Sequence, residues 1–238
     1  MAPKDFNINS LASYLHLTPA QVLRMAERRR LPGRRIAGEW RFSEAEIHHW
    51  LEERIGVSDE KELVRVEGVL DRQRGGGPVE ISISEMLPLE AMAVPLEART
   101  RNKVIEKMAD LAMRTGLLWD APKMAQAVRD RENLHPTALD NGVALLHPRR
   151  PMVNILAEPL LALGRTYQGL PFGGERGALT DVFFLICSTD DSGHLRTLAR
   201  LSRLLNDTAF LTGIREAADA LSLHAWITQR EDELFGES

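Results

Sequence analysis

The sequence predicts an α/β protein in two parts: a small front unit of short helices closed by a two-stranded wing, and a larger layered α/β domain behind it. Three observations carry this prediction. The run Arg72-Gln73-Arg74-Gly75-Gly76-Gly77-Pro78 removes helical propensity between stretches of different character. Ahead of it, two short amphipathic helical patterns lead into a segment that alternates apolar and basic residues. Behind it, short apolar strands alternate with helical periods, the signature of a layered α/β domain. The boundaries drawn are 1–56 for the front unit, 57–80 for a connector helix and Gly-rich linker, and 81–238 for the rear domain.

The composition excludes several classes. With 238 residues, 44% hydrophobic and 27% charged, the chain is globular rather than disordered or fibrous. Its net charge of -4 demands no polyanionic partner as a whole, but the charge is uneven: residues 20–42 hold seven Arg and two Glu. The single cysteine, Cys187, excludes an intrachain disulfide and a cysteine-cluster metal site, which fits a reducing compartment. The start MAPKDFNINS has no uninterrupted apolar stretch, and the longest strongly apolar run, 182–187, is six residues, so a cytoplasmic protein without a membrane segment is expected. No cofactor or metal is called for. His48 and His49 lack a third nearby ligand, and the glycine-rich stretch 164–174 lacks the Lys-Ser/Thr of a nucleotide loop and reads as a mobile loop.

In the front unit Ser10 is placed as the cap of a short helix burying Leu11, Ala12 and Leu15. Thr18-Pro19-Ala20-Gln21 is a capping box with Pro at the first helical position. The helix it starts turns Val22, Leu23 and Ala26 inward and Gln21, Arg24 and Arg28 outward. Residues 34–42 alternate apolar and basic around Gly38-Glu39, as a hairpin would. Ser43-Glu44-Ala45-Glu46 is a second capping box, followed by Ile47, Trp50 and Leu51 at burial spacing. In the connector, Leu63, Val66 and Leu70 form a helical stripe that could pack on the front unit or on its copy in a homodimer.

Residues 8–55, with their helix, turn, helix, Leu31-Pro32, basic hairpin carrying Trp40-Arg41-Phe42 and final Trp50-Leu51, resemble the excisionase/MerR-like winged-helix DNA-binding family. The physics agrees with the resemblance, because an Arg/Gln helix face fits a major groove and hairpin arginines suit phosphates. Double-stranded DNA is the partner implied, with Gln21, Arg24 and Arg28 facing bases and Arg34, Arg35 and Arg41 touching the backbone. A solvated basic surface, or a protein-binding module, is the alternative.

In the rear domain helices are predicted over 103–115, 121–131 and 193–206, with terminal helices over 207–211 and 213–223. Strands are predicted over 142–146 and 180–187, with a shorter one over 154–157. Cys187 then ends a buried strand as an inert thiol. His147 directly follows an apolar strand and precedes Pro148-Arg149-Arg150. A neutral imidazole there could take a phosphoryl group and release it, with Asn141, Arg131, Arg149 and His194 as available helpers. On spacing alone, a structural histidine is the commoner case.

The stretch Arg131-Glu132 through Asn141-Gly142-Val143-Ala144-Leu145-Leu146-His147-Pro148-Arg149 aligns without a gap with the pattern of the phosphotransferase-system (PTS) IIA family of the fructose/mannitol/nitrogen-regulatory type. Farther on, Asp181-Val182-Phe183-Phe184-Leu185-Ile186 and His194-Leu195 match the family's apolar strand and His-Leu helix start, so that residues 82–236 resemble this family. The resemblance implies a three-layer α/β/α domain with a mixed sheet. It also implies a phosphoryl-accepting His147, His194 as the second active-site imidazole, Arg131 near the phosphate, and an HPr-type phosphocarrier as donor; the reading requires the His147 ring to be reachable from solvent. Four residues depart from the pattern: Leu146 replaces Pro, Pro148 replaces Gly, and Ala138 and Asp140 replace turn glycines. Pro148 removes a backbone N–H beside the acceptor.

The expected protein is thus a PTS-linked regulator acting in transcription or nitrogen regulation, its rear domain a phosphohistidine carrier and its front module bound to DNA. The alternative is a non-catalytic regulator whose IIA-like domain only senses or docks partners.

Overall fold

The computed structural model describes residues 5–15, 17–44, 46–47, 50–51, 81–174 and 177–236. The chain divides into two compact units, Met1–Glu80 and Ile81–Ser238. The predicted connector and linker, 57–80, the pair His48-His49 and Ala45 of the second capping box lie outside the described residues.

The front unit runs β1 (Asp5–Phe6), α1 (Ile8–Leu15), α2 (Pro19–Glu27), β2 (Arg34–Ile36) and β3 (Glu39–Ser43). The cap of α1 is Asn7 rather than Ser10: Ser10 N–H donates to Asn7 Oδ1 at 2.8 Å and Asn7 N–H to Ser10 Oγ at 2.9 Å. Asparagine at this position is as good a cap as serine, and the reciprocal bond needs a hydroxyl three residues on. The Thr18–Gln21 box at α2 forms as predicted. The hairpin turns at Ala37-Gly38, one residue earlier than expected, with φ of 51° and 85°. Positive φ at both positions is the type I′ geometry that matches strand twist. β1 adds a third strand on β3, giving the order β1-β3-β2. Leu11, Ala12, Val22, Ala26, Phe42 and Ile47 are buried beneath it, while Leu23 is half-exposed.

The rear domain contains β4 (Met92–Ala93), α3 (Arg101–Arg114), α4 (Ala121–Leu134), β5 (Val143–Leu146), β6 (Leu160–Pro171), β7 (Leu179–Cys187), α5 (Asp191–Asn206), α6 (Thr208–Glu216) and α7 (Ala220–Phe235). The sheet order is β4-β6-β7-β5, with β6 and β7 antiparallel and the outer pairs parallel, a mixed sheet. Val104, Ile105 and Met108 of α3 and Met124 and Val128 of α4 share one core with Ala144, Leu146, Phe183 and Leu185. The alternate residues Val143, Leu145, Val182, Phe184 and Ile186 are equally buried on the other face, where α5 packs on β7. Strands covered on both faces read as continuous apolar runs, which is why β5 and β7 stand out in the sequence.

Two expectations fail here. The stretch 164–174 is no loop: most of it lies in β6, the longest strand among the described residues. Its glycines misled because Gly164 packs where a Cβ would meet Met108 Sδ at 2.7 Å, a close-approach glycine inside a strand. Residues 154–157 form no strand, only a single bridge from Leu156 to Leu118. The last two helices also shift: their break falls at 217–219, where Asp219 caps α7 by accepting from Ser222 N–H.

Cys187 is fully buried, and burial alone pushes its thiol up to about 12. It is therefore an inert core group at neutral pH, as expected.

Candidate functional site

β5 and β7 run parallel, with Leu146 opposite Leu185, so both strands deliver their C-terminal ends to one edge of the sheet. In open α/β sheets ligands bind outside these ends. β5 is followed directly by His147, and β7 by Ser188 and then α5, whose first turn carries His194. Asp190 starts that helix by accepting from Gly193 N–H at 2.8 Å. The two imidazole rings come together with centroids 5.0 Å apart and planes inclined at 55°.

Each ring is oriented through Nδ1. His147 Nδ1 lies 2.8 Å from the Leu145 carbonyl oxygen. A carbonyl only accepts, so Nδ1 carries a proton, and in the neutral ring the lone pair is on Nε2. His194 Nδ1 lies 3.1 Å from Ser188 Oγ. The predicted pairing of the rings is therefore present, but the predicted solvent access is not: His147 is 3% and His194 5% exposed. The chain after His147 folds back, and Met152 N–H donates to the Ser188 carbonyl at 3.2 Å.

Arg131 lies in the last turn of α4 and is buried. Its segment leaves α4 and runs antiparallel to β5, with Ala138 bridged to Ala144 and Leu145 N–H donating to Thr137 O. Arg131 Nη1 donates to the His135 carbonyl at 2.8 Å, at the start of that segment. Arg149, two residues after His147, is exposed.

Asn141 belongs elsewhere. It precedes β5, whose four residues put roughly 13 Å of strand between it and His147. There its carbonyl accepts from Arg215 Nη2 at 2.6 Å, and Arg215 also clasps both carboxylate oxygens of Asp181 at 2.8 and 2.9 Å. The gapless alignment carried no such information, because a strand separates residues that sequence proximity seems to join.

Sequence reasoning assigned no role to Glu132 or Ser188. Glu132, 1% exposed, holds the segment beside β5. It accepts from Thr137 N–H at 3.1 Å and from the Thr137 hydroxyl, and pairs with Arg101 at 3.0 Å. Its adjacency to Arg131 was the one available signal.

In the front unit Gln21 and Arg24 are exposed on α2 and Arg28 is exposed at its C-cap, although Gln21 Oε1 is engaged by Thr18 N–H at 2.8 Å. The wing arginines have weak surface partners: Arg34 lies 3.8 Å from Asp5, Arg41 lies 3.0 Å from Glu39, and Arg35 stacks over Trp40 at 5.3 Å. Such exposed pairs contribute about 0–1 kcal/mol and are readily exchanged for a stronger anion.

Comparison with known proteins agrees with both halves. The family model for the phosphoenolpyruvate-dependent sugar phosphotransferase system, EIIA 2, matches residues 85–230, and a helix-turn-helix domain model matches residues 6–55. A "PTS system fructose-specific EIIABC component" of Bacillus subtilis is 28% identical over 127 residues, 52% of this chain but 20% of that protein. A "Nitrogen regulatory protein" of Bradyrhizobium diazoefficiens is 26% identical over 146 residues, 60% of this chain and 92% of that one. Among solved structures, the nitrogen regulatory protein IIA-Ntr of Neisseria meningitidis superposes with a TM-score of 0.55 at 22% identity, over 61% of this chain and 98% of its own. IIA mannitol of Escherichia coli does so with a TM-score of 0.53 at 18% identity, over 59% and 97%. No helix among the described residues is long and apolar enough to cross a membrane.

Proposed function

Because the chain belongs to the phosphoenolpyruvate-dependent sugar phosphotransferase system EIIA 2 family, we propose that it is a PTS-linked regulator that accepts a phosphoryl group on His147 from an HPr-type carrier and binds DNA through its front unit. The observation that carries the first half is the pairing of the two rings at the strand ends, with the His147 proton held on Nδ1. In the transfer, the Nε2 lone pair attacks phosphorus as the donor's P–N bond breaks, and that bond's electron pair returns to the donor nitrogen. The Nδ1 proton stays on His147, held at the Leu145 carbonyl, and the ring's positive charge offsets the phosphoryl group. In this reading His194 and Arg131 supply positive or hydrogen-bonding groups to the transferring oxygens. Since both rings are buried, docking of the carrier has to part their cover, in the manner of a gating step.

Burial of both Nε2 atoms and the proline in place of a glycine N–H favour a second reading, in which the rear domain docks partners without taking phosphate. One assay separates the two. Incubation of the full chain with phosphoenolpyruvate, enzyme I and an HPr-type carrier should add the mass of one phosphoryl group, on the peptide containing His147. An unchanged mass with active carriers assigns the domain to docking.

For the front unit, binding to duplex DNA should weaken steeply with salt, and the double change Arg34→Ala plus Arg41→Ala, at arginines assigned to the backbone, should lower the slope of log affinity against log salt by about 2. Binding indifferent to both would remove DNA as the partner.

A further inference from the structure

Resting on the DNA-binding half of that reading, we propose that Arg29 is a further phosphate contact for duplex DNA, held at the exit of α2 in a backbone conformation that glycine would adopt without strain. α2 closes with two hydrogen bonds: Arg29 N–H donates to the Ala26 carbonyl at 3.0 Å and Arg30 N–H to the Met25 carbonyl at 2.8 Å. This Schellman closure requires a left-handed residue between helix and turn, and glycine is its usual occupant. Arg29 stands there with φ of 54°. Seven described residues have positive φ; five are glycine, and the other exception, Ala37, belongs to the hairpin turn. A residue with a Cβ is strained in this region, so something outside the turn has to offset the strain.

Nothing in the described front unit does so. The Arg29 side chain is exposed, and its guanidinium makes no hydrogen bond or ion pair with a described residue. A cation at a helix C-terminus complements the macrodipole. However, Arg28 and Arg30 already place charge there, and a third guanidinium beside them is repelled in the free protein. Three adjacent guanidinia attract a polyanion. Arg29 and Arg30 line a cleft with Leu31, Pro32, Trp40 and Glu46, between the end of α2 and the wing strand β3, and Arg35 lies over the Trp40 ring. When α2 lies in a major groove and Arg34 and Arg41 of the wing rest on backbone, the DNA strand between those contacts crosses the segment that joins them. Arg29 belongs to that segment.

The test is duplex DNA binding by the full chain at several salt concentrations, read beside amide hydrogen exchange of the free protein. Arg29→Gly should lower the slope of log affinity against log salt by about 1 and weaken all duplexes alike, while raising the protection of the Val22 and Ala26 amides about fivefold. Arg29→Lys, which keeps both the charge and the strained backbone, should match the wild type in slope and protection. A purely structural arginine would instead lose protection on replacement and leave the salt slope alone. An unchanged slope in Arg29→Gly, or protection that falls, overturns the proposal. A wild type that binds no duplex defeats the DNA reading and this proposal with it. A wild type that binds, with Arg29→Gly indistinguishable from it, leaves that reading to the other arginines and removes Arg29 alone.

Discussion

His147→Ala is expected to abolish phosphoryl uptake, whereas His194→Ala should slow it by about a hundredfold to a thousandfold and still end with one group bound. The asymmetry follows from the proton positions. His147 has its Nδ1 proton committed to the Leu145 carbonyl, so its Nε2 is the nitrogen with an electron pair to give. Removing it removes the bond-forming atom, and no neighbour replaces it. Arg131 is a poor nucleophile because its guanidinium stays protonated. Cys187 is no substitute, since burial holds its thiol protonated. In the proposed transfer His194 is given the other role, stabilising charge on the phosphoryl oxygens, and losing one such group slows a step rather than stopping it. Single-turnover uptake from a phosphorylated HPr-type carrier, followed by intact mass, measures both. Uptake that survives His147→Ala and vanishes in His194→Ala would reverse the assignment of acceptor and donor.

Much of this arrangement is legible in the sequence, and the reasons are physical. β5 and β7 are buried on both faces, so their apolar runs announce them, and a polar residue directly after such a run marks a strand end. The partner ring is legible only through the family pattern, because residue spacing does not encode which strands lie parallel. Asn141 shows the opposite failure, being near His147 in the chain and a strand's length away in space. β6 stayed hidden because its glycines serve close packing, and glycine reads as a loop when the neighbour that needs the space is unknown. Burial of the two rings was also beyond the sequence, since it depends on how residues 148–152 fold back toward Ser188.

Glu231→Ala is expected to lower the stability of the rear domain by about 3 kcal/mol, which for a domain of this size moves the thermal midpoint down by about 6–12 °C. The residue lies on α7 and is 4% exposed. It accepts from Ile83 N–H at 2.7 Å, from Ser84 N–H and Oγ–H at 2.9 Å, and from Ser82 Oγ–H at 3.2 Å, and it lies 3.7 Å from Arg200 Nε on α5. One carboxylate therefore ties the start of the rear domain to its last helix and to the helix that carries His194. His224 reinforces the tie by donating to the Ser84 carbonyl at 3.3 Å. Alanine leaves four donors and a nearby guanidinium to find other partners where water has little access, and unmade buried donors cost more than a made bond contributes. Glu231→Gln keeps the shape and one acceptor oxygen but turns an N–H₂ toward donors, so its effect should fall between wild type and alanine. Urea unfolding of the full chain gives the size of the loss, and amide hydrogen exchange gives its place: Ile83 and Ser84 should lose protection in the alanine variant before the strands β5 and β7 do. A midpoint that does not move, together with protection retained at both amides, would mean that the desolvation of the carboxylate cancels every bond it makes.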